Sequence, residues 1–138
     1  MESQSLSNGI GIMQGSRVVA FALYATVALL LVVTLYYGVM FQGQLPDHPV
    51  LRGQNDLFLH FIAFLALTIP VRLLFPRWPS FAALTSLAGA IEIIQIFQPD
   101  RNADFNDFSA SFSGVLVGAA FLALLQRGIQ RISKPNHE

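Results

Sequence analysis

The sequence has no cysteine and few charged residues. Its 138 residues include eight basic and eight acidic side chains, so the formal net charge is zero and only 12% of residues are charged, against about 25% in ordinary soluble domains. The missing cysteine excludes disulfides and thiol catalysis. Because there is no basic surplus, nucleic acid is not expected as a partner. With 54% hydrophobic residues, the chain has too few polar side chains to cover a water-soluble globule.

Apolar stretches are what the sequence has instead. Residues 18–40 hold no charge and exceed the roughly 20 helical residues that cross a bilayer. A soluble helical bundle would show a polar face at helical spacing, and this stretch shows none. We therefore predict an all-α polytopic membrane protein with four transmembrane helices, forming one domain over 1–138. The predicted spans are about 18–40, 56–75, 80–98 and 105–126, with flexible tails at 1–16 and 133–138.

The basic residues predict an orientation. If the chain crosses four times, six of its eight basic side chains fall on the side of the termini. They are Arg17, Arg72, Arg77, Arg127, Arg131 and Lys134. Only Arg52 and Arg101 fall on the other side. Because cytoplasmic loops are enriched in Lys and Arg, both termini are predicted to be cytoplasmic.

Polar residues gather in pairs at helical spacing on three predicted spans, at the ends that lie away from the predicted cytoplasmic side. The pairs are Asp56 with His60, Glu92 with Gln95, and Asp107 with Ser111. An ionisable side chain costs about 2.5 to 3.5 kcal/mol at the centre of a membrane helix. That cost falls if the polar groups face one another instead of lipid. We predict an outward-facing ligand pocket built from these six residues and Arg101.

Small residues on the last predicted span favour close helix packing. Ala110, Gly114 and Gly118 recur every four residues, and such stripes let two membrane helices approach closely. Asp56 and Asp107 are each predicted to cap the start of a helix. Arg101 and His60 are the predicted partners of Glu92.

The polar residues also stand in an ordered series of motifs. They are D-x-x-x-H-F (Asp56, His60, Phe61), E-I-x-Q (Glu92, Ile93, Gln95), F-x-P-x-R (Phe97, Pro99, Arg101) and D-x6-G-x3-G (Asp107, Gly114, Gly118). This series resembles the VanZ-like family of small bacterial membrane proteins. The resemblance runs from about Asn55 to Leu125. Two positions depart from the family pattern: Asp100 stands where a glycine is usual, and Ser111 where an asparagine is usual.

The resemblance implies a multi-pass protein of the bacterial cytoplasmic membrane. The family is linked to low-level resistance to the glycopeptide teicoplanin. We therefore expect a protein that binds an amphiphile or envelope component at the polar pocket and modulates cell-surface properties or glycopeptide sensitivity. The expected partner is a membrane lipid or a lipid-linked envelope component. Whether the chain also forms a homo-oligomer is left open.

Two other functions stay open. A membrane enzyme acting on a lipid-linked envelope substrate would use Glu92 and His60 as acid and base. A passive accessory subunit would use the polar cluster only to fix helix packing. A metal site from Asp56, His60, Glu92 and Asp107 is conceivable, but zinc is poorly supported because this set has one histidine and the chain has no cysteine. We predict no metal and no cofactor.

Overall fold

The structure, a computed structural model, describes residues 2–40, 55–98 and 104–132. Helix α1 spans Glu2–Leu35 and continues as a π-helical segment, Tyr36–Met40. Helices α2, α3 and α4 span Asn55–Leu74, Arg77–Gln95 and Phe105–Ile132. These ranges contain no strand, so the all-α prediction is confirmed for the described part of the chain.

Three of the described helices are long and apolar enough to cross a membrane. They cover Ser16–Val39, Asp56–Leu74 and Phe105–Ile132, with mean hydropathies of 2.6, 2.1 and 2.0. These helices support the prediction of a membrane protein. Helix α3 is not among them, although its 19 residues would extend about 28 Å at 1.5 Å per residue.

Helix α1 begins earlier than the sequence predicted. Residues 1–16 were expected to be a flexible tail, whereas α1 starts at Glu2. The first proline of the chain is Pro46, so no proline interrupts the helix before the apolar stretch. Extending an existing helix by one residue needs no new nucleus, which makes such an extension inexpensive. The other predicted tail, 133–138, lies outside the described residues.

Helices α2 and α4 form the most extensive contact among the described helices. A Cβ atom added to Gly114 would run into the Phe61 carbonyl oxygen and lie 3.0 Å from the Leu65 backbone nitrogen. One added to Gly118 would lie 3.0 Å from Thr68 Cβ. The two backbones therefore touch along the glycines, and the predicted small-residue stripe is confirmed as a packing surface.

Helix α3 lies against α4. The rings of Phe81 and Phe112 meet edge to face at 5.8 Å, and Arg77 Nη2 donates to Gln126 Oε1 at 3.2 Å. The N-terminus of α3 is thus beside the C-terminal part of α4, so the two helices are antiparallel. The buried core behind them consists of Phe64, Leu67, Val71, Leu84, Ala88, Ile91 and Val115.

The bundle has two chemically different ends. We call the end with the α3 N-terminus and the α4 C-terminus the basic end, because Arg77, Arg127 and Arg131 lie there. The N-termini of α2 and α4, the C-terminus of α3 and the π-helical segment form the acidic end. The acidic end holds all the candidate functional residues that the structure describes.

Candidate functional site

His60 is the centre of the polar cluster at the acidic end. Its Nδ1 lies 3.1 Å from Ser111 Oγ of α4, and its Nε2 lies 4.0 Å from Asp56 Oδ1, one helical turn earlier on α2. His60 is 7% exposed and Ser111 is fully buried. The close approach of α2 and α4 along the glycines brings these side chains together.

Asp107 joins the same cluster from the first turn of α4. Asp56, His60 and Asp107 each offer one metal-ligating atom, and these atoms all lie within 4.8 Å of one another. Asp107 is buried, at 8% exposure. Two carboxyl groups and an imidazole therefore face a common point between α2 and α4.

Asp104, and not Asp107, caps the start of α4. The Asp104 carbonyl oxygen accepts the backbone N–H groups of Asp107 and Phe108. Its side chain accepts the Asn106 backbone N–H at 2.9 Å, as an N-cap residue does. The bonds from the Asn106 backbone and side chain lower the pKa of the Asp104 carboxyl below its ordinary value. The N-cap residue of α4 is therefore Asp104, where the sequence predicted Asp107, and Asp107 lies in the first turn of the helix.

Glu92 is buried beside this cluster without a hydrogen-bond partner. It is 9% exposed, and within the described part of the chain neither carboxylate oxygen has a partner of hydrogen-bond geometry. The negative charges of Asp107 and Asp56 repel the Glu92 carboxylate, whereas the Asp104 backbone N–H attracts it. Of its two predicted partners, His60 instead bonds Ser111, and Arg101 lies outside the described residues.

Gln95 points away from the cluster, toward α1. Its Nε2 donates to the Gly38 carbonyl oxygen at 2.7 Å, and Gln98 Nε2 donates to the neighbouring Val39 carbonyl. Both acceptors belong to the π-helical segment, whose wider turn changes the backbone hydrogen bonding of an α-helix. Gln95 was predicted to line the pocket; its observed contact ties α3 to α1.

An apolar groove opens next to His60. It has a volume of about 390 Å³ and runs between α1 and α2, within the roughly 300 to 1,000 Å³ of small-molecule sites. Its walls include Leu30, Val33, Leu59, Ala63, Ala66 and Ile91. Asp56 and His60 also line it, so the groove ends at the polar cluster. Glu92, Gln95, Asp107 and Ser111 do not line the groove.

Gly38 is a residue that the sequence reasoning missed. A Cβ atom there would lie 3.1 Å from Ile91 Cγ2, and its carbonyl oxygen is the acceptor for Gln95. It holds the α1 end of the groove against α3. The signal in the sequence was a lone glycine inside an otherwise apolar span, a position where a packing role is common.

No family model, curated protein or solved structure matches this chain. The VanZ-like resemblance therefore stays a prediction that rests on the four motifs.

Proposed function

We propose that the chain crosses the bacterial cytoplasmic membrane four times with both termini in the cytoplasm. Support for α3 as the remaining span is its antiparallel packing along α4, from Arg77 beside Gln126 to Phe81 beside Phe112. Support for the orientation is the collection of arginines at the basic end, because positive residues favour the cytoplasmic side. The acidic end then faces outward.

The protein, in this proposal, binds a membrane amphiphile at the outer leaflet. The observation that carries the proposal is the apolar groove of about 390 Å³ that ends at Asp56 and His60. From Asp56 to Ala66 the groove follows about 15 Å of helix α2. Its walls suit an acyl chain, since the surrounding helices are apolar enough to lie in lipid, and its polar end suits a head group.

The resemblance to the VanZ-like family suggests what such binding would do. Retention of a lipid or a lipid-linked envelope component at the outer leaflet changes the surface that lipid-tailed glycopeptides such as teicoplanin meet. The proposed function is therefore modulation of cell-surface properties through an amphiphile held in the groove.

A membrane enzyme acting on a lipid-linked substrate is the second candidate. The row Ser111, His60 and Asp56, with separations of 3.1 Å and 4.0 Å, has the residue types of a nucleophile, a base and an orienting acid. Ser111 is fully buried and does not line the groove, so its hydroxyl does not face the space where a substrate would lie. Binding therefore fits the geometry better than nucleophilic catalysis does.

The test uses a spin-labelled phosphatidylglycerol and the full chain in nanodiscs. Electron paramagnetic resonance separates immobilised from mobile lipid, and the groove predicts an immobilised fraction in excess of the lipid that contacts the protein surface. Ala63→Trp fills the groove and should abolish that fraction. Ala120→Trp, on the exposed surface of α4, is the matched control and should retain it. Equal immobilised fractions in both variants would refute binding in the groove.

A further inference from the structure

The cluster at the end of the groove has the dimensions of a metal site. One ligand atom from each of Asp56, His60 and Asp107 lies within 4.8 Å of the others. Three atoms so placed leave a point at most about 2.8 Å from each of them, close to the roughly 2.0 to 2.6 Å of bonds from divalent cations to nitrogen and oxygen. A shift of a few tenths of an ångström would complete such bonds.

The imidazole of His60 is already oriented for coordination. A metal-bound histidine usually donates its other ring N–H to a fixed acceptor, which sets the tautomer and the ring angle. Ser111 Oγ, at 3.1 Å from Nδ1, is placed to accept that proton. The Nε2 lone pair then points to the side of Asp56, whose Oδ1 is 4.0 Å away.

Glu92 supplies an independent observation. Its carboxylate comes from a third helix and is only 9% exposed. The Asp104 backbone N–H attracts it, but among the described residues no donor reaches either oxygen with hydrogen-bond geometry. The carboxylate of Asp107 repels it most strongly, followed by that of Asp56. Burying an ionised carboxylate without a partner is costly, and a cation shared with Asp107 and Asp56 would remove that cost.

We propose that Asp56, His60 and Asp107, with Glu92 as a fourth ligand, bind a divalent cation at the outer end of the bundle. Several carboxylates favour Mg²⁺, Mn²⁺ or Ca²⁺, and one imidazole favours a transition metal, so Mn²⁺ meets both preferences. The ion would join α2, α3 and α4. This site goes beyond the amphiphile proposal and does not depend on it.

The experiment measures Mn²⁺ binding to the full chain in detergent micelles. Free Mn²⁺ gives a six-line electron paramagnetic resonance signal that is lost on binding, and the expected stoichiometry is one ion per chain. A folded wild-type protein that binds no stoichiometric Mn²⁺ would overturn the proposal without any variant. Stoichiometric binding that arises only after Arg101→Gln would also overturn the proposal, because Arg101 would then be the cation that neutralises the cluster in the wild-type protein.

Variants locate the ion. Asp107→Asn, His60→Gln and Glu92→Gln should each weaken binding by more than about tenfold, and Ser111→Ala, which removes the orienting partner, by about tenfold. Asp104→Asn is the control, since Asp104 is exposed, lies at the same end and is bonded to Asn106; its affinity should be unchanged. Circular dichroism confirms that each variant is folded. Equal losses for Asp104→Asn and Asp107→Asn would show diffuse binding to surface carboxylates and overturn the assignment.

Discussion

The two ends of the bundle use polar side chains in different ways. At the basic end Arg77, Arg127 and Arg131 are exposed, and the bond between Arg77 and Gln126 lies at the surface. At the acidic end several polar side chains are buried, and two of them bond between helices, His60 to Ser111 and Gln95 to Gly38. Charges at the basic end need only water or head groups around them, whereas those at the acidic end depend on the protein.

Buried hydroxyl groups elsewhere in the bundle sharpen this contrast. Thr68 Oγ1 donates to the Phe64 carbonyl oxygen at 2.6 Å, and Ser80 Oγ donates to the Pro76 carbonyl oxygen at 2.7 Å. Each hydroxyl is satisfied by backbone within four residues, a local bond common to Ser and Thr in helices. Burial of a polar group is therefore not what distinguishes the acidic end. Its distinguishing feature is that the polar groups converge from different helices.

The largest expected difference between the ends is their accessibility across a membrane. Phe97 at the acidic end and Trp78 at the basic end are both 82% exposed, and they lie at opposite ends of α3. In this cysteine-free chain, Phe97→Cys should react with an impermeant maleimide in intact spheroplasts, and Trp78→Cys should react only after lysis. Ser80 would be a poor labelling position because it is 2% exposed.

The labelling experiment has two contrary outcomes. The reverse pattern would place the acidic end in the cytoplasm and remove the outward-facing site. Reaction at both positions before lysis would mean that α3 does not separate the two sides of the membrane.

Next in size is the contrast in helix packing between Gly114 and Gly128. A leucine at 114 would collide with the backbone at Phe61, so Gly114→Leu should lower the free energy of unfolding by at least about 3 kcal/mol. A Cβ atom at Gly128 meets nothing within 4 Å. Gly128→Leu should be neutral or stabilising by up to about 1 kcal/mol, since leucine favours helix more than glycine does. Thermal unfolding in detergent measures both, and equal losses would show that the ends are packed alike.

Much of this contrast could be predicted from the sequence because it depends on spacing within single helices. The four-residue interval of Asp56 and His60 puts both side chains on one face, and the interval of Gly114 and Gly118 marks the helix that approaches them. Neither inference needs a loop conformation. These residues make the part of the site where α2 meets α4.

The rest depends on which helix each side chain meets, and spacing does not decide that. Gln95 lies three residues after Glu92, about 60° around the helix, so the two can face different neighbours. The acceptor for Gln95 is a carbonyl of a π-helical segment, and no pattern in YYGVM predicts that irregularity. The N-cap role of Asp104 likewise depends on its hydrogen bonds with Asn106, and the sequence alone does not show at which acid the helix begins.

A smaller difference is expected between two glutamines, one at each end. Gln95→Leu leaves the Gly38 carbonyl oxygen without its 2.7 Å bond in a buried place, and this should cost about 1 to 3 kcal/mol. Gln126→Leu breaks the exposed bond to Arg77 and should change stability by no more than about 0.5 kcal/mol. Denaturant unfolding in micelles compares the two. A loss for Gln126→Leu as large as that for Gln95→Leu would erase the distinction between structural bonds at the acidic end and surface bonds at the basic end.

The smallest expected change in stability concerns the charge of Glu92. Glu92→Gln keeps the size of the side chain, adds a donor and removes repulsion from Asp107 and Asp56. In buffer with a chelator, the variant should therefore be as stable as the wild type or more stable by up to about 1 kcal/mol. Arg127→Gln removes an exposed charge at the basic end and should be silent. Adding Mn²⁺ should reverse this order of stability. A ligand at 100 times its dissociation constant stabilises the state that binds it by about 2.7 kcal/mol. Only the wild type and Arg127→Gln should gain this full stabilisation. A loss above about 2 kcal/mol for Glu92→Gln in chelator would make Glu92 a packing clamp instead. The acidic end would then differ from the basic end in where its polar side chains lie and not in what they bind.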